Sequence, residues 1–178
     1  MTSTERSFSR RSLLRVGLFG SAALAGAGLL GSLSGCRAER SAAGFTQLRD
    51  SDLPMLQRLT PVLLEGAVPE SNMPSAVQGT LTSLDQGLAH LSPAVLKQVQ
   101  QLFDLLSLTL TRGPLTGIWG TWEQAQDGEV QAFLQRWENS SVALLRQGHA
   151  SLQQMILMAW YGRPESWRHC GYPGPPVI

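Results

Sequence analysis

Residues 95–110 constrain the fold more than any other stretch. Val95, Leu96, Val99, Leu102, Phe103, Leu106 and Leu110 recur every three or four residues, the spacing of one face of an α-helix. Leu105 and Leu108 widen that face, which predicts a helix near the centre of the domain. Ser92 and Pro93 supply its cap and first turn.

The same period recurs on both sides. Asp50, Ser51 and Asp52 offer N-caps for a first helix carrying Leu53, Leu56, Leu59, Val62 and Leu63. Pro61 predicts a kink or break in it. A second helix starts near Pro74 with Val77, Leu81, Leu84 and Leu88. A fourth covers about 129–139 with Val130, Phe133, Leu134 and Trp137, and a fifth about 141–160 with Leu145, Leu152 and Ile156. Between the third and fourth, glycines and a proline around Ile118, Trp119 and Trp122 interrupt the pattern. No alternating β-branched run competes. The expected fold class is all-α, a small irregular bundle of about five helices with an extended Gly/Pro/aromatic tail over 162–178.

The front of the chain reads as an address rather than a fold element. Arg6, Arg10, Arg11 and Arg15 precede an apolar, glycine-rich run over about 16–33, the order of an export signal. Ser9-Arg10-Arg11-Ser12-Leu13-Leu14-Arg15 resembles a twin-arginine signal; a general secretory signal with two adjacent arginines is the other reading. Leu33-Ser34-Gly35-Cys36 looks like a lipobox, with Cys36 the acylated residue; cleavage near Ala42 and Ala43 is the alternative. Acyl chains on Cys36 would anchor the protein, since each buried methylene contributes about 0.8 kcal/mol. The expected organisation is a signal over 1–35, a linker over 36–49 and a helical domain over 50–178, on the periplasmic side of the envelope.

The chain from Cys36 onward carries ten basic and twelve acidic residues, a balance that lacks the basic face a nucleic-acid partner needs. No glycine-rich phosphate loop ends in Lys-Ser or Lys-Thr, no paired-glycine dinucleotide turn follows a strand, and a covalent-haem motif and a nucleophile elbow are missing. His90 reads as a helix C-terminal residue and His149 as a polar-face residue; neither has a partner at ligand spacing. Cys170 beside His169 lacks further ligands and reads as a packed tail residue. The expectation is a chain with no catalytic residues, cofactor or metal of its own.

The aromatic residues are the better leads, because such side chains are enriched at interface hot spots. Trp137 and Trp160 lie on helices and read as core. Trp119, Trp122, Trp167, Tyr172, Pro173 and Pro175 sit in glycine- and proline-rich segments and are the candidate partner-binding residues.

Trp160-Tyr161, then Pro164 to Trp167, then Gly171-Tyr172-Pro173-Gly174 resemble the C-terminal end of the gluconate 2-dehydrogenase subunit 3 family. Tryptophan stands here where that family commonly has tyrosine, and the apparent lipobox is a second difference. The resemblance implies a non-catalytic small subunit of a membrane-associated dehydrogenase. Its partner would be an FAD-dependent flavoprotein of the glucose-methanol-choline type, with a cytochrome c subunit as a further partner. The small subunit would carry the export signal for a folded, flavin-loaded complex. Two other readings stand beside this one: a free-standing lipoprotein that binds a small apolar ligand between its helices, and an enzyme with an unrecognised site.

Replacing Arg10 and Arg11 by lysine is expected to hold the protein in the cytoplasm, because lysine keeps the charge but not the recognised pair. Cell fractionation checks this, and normal export of the double variant removes the twin-arginine reading.

Overall fold

Leucine periodicity becomes a helical bundle with a hydrogen-bonded clip at its N-terminal edge. The structure, a computed structural model, describes residues 40–174. The expected signal, lipobox and Pro175 lie outside the described residues. Seven α-helices and no strands are found among the described residues: α1 Leu53–Leu63, α2 Met73–Ala89, α3 Pro93–Ser107, α4 Thr109–Thr116, α5 Asp127–Glu138, α6 Ala143–Tyr161 and α7 Pro164–Cys170. Single 3-10 turns form at Glu70–Asn72 and Trp122–Gln124. The all-α class is therefore the observed one.

α1 packs on α2, α5, α6 and the Trp122 turn, and α6 packs on α2, α5 and α7. Their apolar stripes meet in one core, in which Met55, Leu56, Leu59, Phe133, Leu152 and Ile156 are fully buried. A smaller cluster of Leu64, Val68, Ala76 and Trp160 closes the end where α1 turns into α2.

Four local expectations change. Pro61 does not break α1, which runs through it to Leu63. It sits in the last turn, so the only hydrogen bond it removes is to the carbonyl of Gln57, an exposed residue that water can serve. The third helix does not continue to Leu110 but ends at Ser107, where Leu108 turns extended and α4 begins. The Thr111 hydroxyl donates to the carbonyl of Leu105 at 2.7 Å and so replaces a partner that a continuing helix would have supplied. Residues 164–170, expected in an extended tail, form α7 with Pro164 in its first turn. Last, α3 is peripheral rather than central. Phe103 and Leu106 are its only buried residues.

The expected linker over 36–49 also ends earlier than the sequence suggests. The chain from Ser41 to Arg49 folds back on itself, Ala42 N–H donating to the Leu48 carbonyl at 2.8 Å. It is held by one carboxylate: Asp85 on α2, 5% exposed. Asp85 accepts from the backbone N–H of Thr46, Gln47 and Leu48 at 2.9, 2.7 and 2.8 Å and from the Thr46 hydroxyl at 2.9 Å. This seats Leu48 in the core with no exposure. Arg49 then bridges Asp52 at 2.8 Å and Asp104 at 2.7 Å, tying the clip to α1 and α3. Burial opposes the charge on Arg49, but bonds and attraction from Asp52 and then Asp104 outweigh it and raise its pKa. Asp52 thus spends its carboxylate on Arg49 and makes no side-chain cap to α1.

Burial pushes the Asp85 carboxyl up, but the Leu48, Thr46 and Gln47 amides and the Thr46 hydroxyl hold it below the ordinary 3.8. A carboxyl depressed on folding adds stability above its unfolded pKa, and that stability is lost as pH falls through the folded value. Urea denaturation is therefore expected to show a stability loss below about pH 4 that Asp85→Asn largely removes. Asp85→Ala is expected to cost about 3 kcal/mol at neutral pH, since it leaves the buried Leu48 amide and the part-buried Thr46 and Gln47 amides without their acceptor. Equal acid sensitivity of wild type and Asp85→Asn would sink this account.

Candidate functional site

The aromatic candidates divide by environment. Trp122, expected at a partner surface, is 2% exposed and belongs to the core. Its indole N–H donates to the Leu106 carbonyl at 2.9 Å, and its ring meets Phe133 edge-on. The donor-bearing ring is buried because the end of α3 supplies the acceptor it needs. Trp119, three residues earlier, is 77% exposed. One of its faces lies on α4 at Gly113, where a built Cβ would come within 2.6 Å of the ring. Leu110, also 77% exposed, lies one turn before Gly113 on α4.

Trp167 and Tyr172 come together in the tail, ring centres 5.6 Å apart. Trp167 donates to the Tyr161 carbonyl at 3.0 Å, so it closes the end of α6. Tyr172 and Pro173 are exposed. The tail pair and Trp119 do not form one surface. Trp137 links α4 to Gly148 of α6, and Tyr161 lies about 20 Å further along that helix.

A different site emerges where α3 stands off from α6. The two helices flank an open groove of about 610 Å³, within the usual range for binding pockets. Leu102, Leu115, Leu145, Met155 and Trp137 form its apolar bed. Trp137 is fixed from two sides: its N–H donates to the Leu115 carbonyl at 2.9 Å, and its ring lies on α6 at Gly148, where a built Cβ would approach to 2.7 Å. Only glycine lets the ring sit that close to the helix. Val95, Leu105 and Leu144 extend the apolar surface to the lips, Leu144 being 74% exposed. Gln98, Val99, Gln101, Gln147 and Ser151 complete the lining, which contains no ionisable side chain.

The leucines that widen α3 were thus legible as a pattern but misread in direction. Leu105 and Leu108 face outward and are 46% and 57% exposed. The first half of α3 is open in the same way: Pro93, Ala94, Val95, Lys97 and Gln98 are all exposed.

Other chemistry is sparse. Among the described residues no group of three His, Cys, Asp or Glu side chains could hold a metal ion, and no helix is long and apolar enough to cross a membrane. His90 caps the end of α2 as expected, with Nδ1 2.7 Å from the Gln86 carbonyl. His149, expected on a polar face, is buried. Arg112 is buried with Nη1 3.4 Å from the Ser107 carbonyl. The Glu123 backbone N–H and then the Thr121 hydroxyl lower the pKa of exposed Glu123 against the effect of burial, and the charge of Arg112 adds a lesser pull in the same direction.

Comparison with protein-family models, with curated proteins and with solved structures gives no match.

Gly148→Ala is expected to lower the unfolding free energy by about 1–3 kcal/mol, because the added methyl displaces Trp137. This outweighs the gain of up to about 1 kcal/mol from alanine's helix propensity. Gly87→Ala on α2, where a Cβ meets nothing within 4 Å, is expected to stabilise by about 0.4–1 kcal/mol. Urea denaturation of the two variants checks the pair, and the same sign for both would refute the seating of Trp137.

Proposed function

We propose that this chain is a non-catalytic docking subunit that carries the export signal for, and stabilises, an FAD-dependent dehydrogenase of the glucose-methanol-choline type. The observation that carries the docking half is α3, a helix with a broad apolar face of which only Phe103 and Leu106 are buried. A chain that folds by itself has little reason to leave such a face beside an open apolar groove, and extended apolar surface marks interaction sites. Trp119, with one indole face on Gly113 and the rest in solvent, adds the kind of rigid aromatic anchor that dominates interface energetics. Tyr172 and Pro173 offer a second contact at the far end of α6.

The export and flavin half is supported by sequence. Arg10-Arg11 before the apolar run and the Gly171-Tyr172-Pro173-Gly174 ending belong to the resemblance described above. A tightly bound flavin must be inserted before export, and a folded-protein route suits a subunit that lends its signal to such a partner. Cys36 would then hold the complex at the periplasmic face of a membrane.

A second reading is favoured by the groove's volume: a lipoprotein that binds a small neutral apolar ligand. A ligand site usually buries most of its ligand, whereas this groove is open along one side.

Affinity isolation of the tagged full chain from the envelope of its native host is expected to bring FAD with it, released on denaturation and read by its fluorescence. An intact chain isolated under mild conditions without flavin removes the dehydrogenase reading.

A further inference from the structure

We infer that the α3–α6 groove seats one amphipathic helix of the partner chain, about three turns long, whose buried stripe is wholly uncharged. The inference rests on the docking part of the proposed function and not on the flavin.

The length follows from the walls. α3 lines the groove from Val95 to Leu105 and α6 from Leu144 to Met155. At about 1.5 Å per residue each wall is roughly 15–17 Å long, or three helical turns. Two helices held apart with an apolar bed between them offer the cleft into which the ridge of a third helix packs.

The charge of the occupant follows from the lining. No Asp, Glu, Lys, Arg or His borders the groove. A charged side chain pressed into it would be stripped of water with no counter-charge, at a cost of several kcal/mol. The buried stripe must therefore be apolar at helical spacing. The polar lining residues are neutral and lie one turn apart on each wall, Gln98 with Gln101 on α3 and Gln147 with Ser151 on α6. They can donate to and accept from neutral side chains flanking the stripe.

The open side selects a helix over a small molecule. An apolar molecule resting there would keep one face in water. A helix instead turns its own polar face to that side. Leu144 on the lip gives the stripe further apolar area without a change in the domain, since this side chain is already mostly in solvent.

Fluorescence anisotropy of the full chain with a labelled helical peptide of about four turns, leucine on one stripe and glutamine elsewhere, tests the inference. Saturable binding is expected. Leu144→Glu at the exposed lip and Ser151→Arg in the wall are each expected to weaken it about tenfold or more, with unchanged circular dichroism. A peptide with one central stripe leucine replaced by lysine should weaken to a similar degree. Failure of the wild type to bind, or equal affinity for wild type and both variants, overturns the inference. So does retention of the neutral dye Nile red in the groove at saturating peptide, which would make it a small-molecule site. Peptide binding by a chain that isolates without flavin supports the groove and ends the dehydrogenase reading; flavin without peptide binding does the reverse.

Discussion

Three indole N–H groups hold the corners of this bundle. Trp122 donates to Leu106, Trp137 to Leu115 and Trp167 to Tyr161, and each acceptor lies at the C-terminal end of a helix: α3, α4 and α6 in turn. A helix leaves its last carbonyls without intrahelical partners, and where the end is buried that deficit must be met by something other than water. A tryptophan meets it and fills the corner with the same side chain. Each such bond contributes about 1 kcal/mol net, and losing the buried one from Trp122 would cost more, because it leaves the Leu106 carbonyl without a partner in an apolar corner. The short helix α4, of eight residues with a proline inside, has little intrinsic stability. It exists because Trp137 receives its last turn.

The helices themselves were legible because a 3.6-residue period is a local property. The stretches read as the fourth and fifth helices correspond to α5 and α6 to within two residues at each end. What the sequence did not reveal depends on partners far away in the chain. Asp85 looks like any polar residue of an amphipathic helix until the segment 39 positions earlier folds onto it. Trp122 sits among glycines like an exposed anchor, yet the carbonyl of Leu106, 16 residues away, draws it inward. α4 and α7 were missed because each is a short helix containing a proline, which reads as punctuation although it is tolerated in the last turn of α4 and in the first turn of α7.

The candidate site was the least legible part for a related reason. Val99, Leu102, Leu145 and Met155 are the residues that periodicity assigns to a core, and they do pack against it. The same residues also border the groove, because α3 touches the body mainly at its C-terminal end. Hydrophobic pattern tells which face of a helix seeks cover. It does not tell whether the chain itself supplies all of that cover. Three of the five tryptophans, by contrast, were used as caps, and among the described aromatic residues Trp119, Tyr161 and Tyr172 remain open to solvent.

The seat of Trp137 on Gly148 gives the groove an uneven stiffness. Its ring is gripped by a hydrogen bond on one edge and by helix backbone beneath, so it has no rotamer freedom left to lose when something settles on it. The glutamines and the methionine around it are long side chains with several rotatable bonds and must be immobilised when an occupant arrives. Tightness of binding should therefore come from the part that is already frozen. Discrimination between occupants would then fall to the exposed lips, where a modest change of side chain could redirect the groove without disturbing the bundle beneath it.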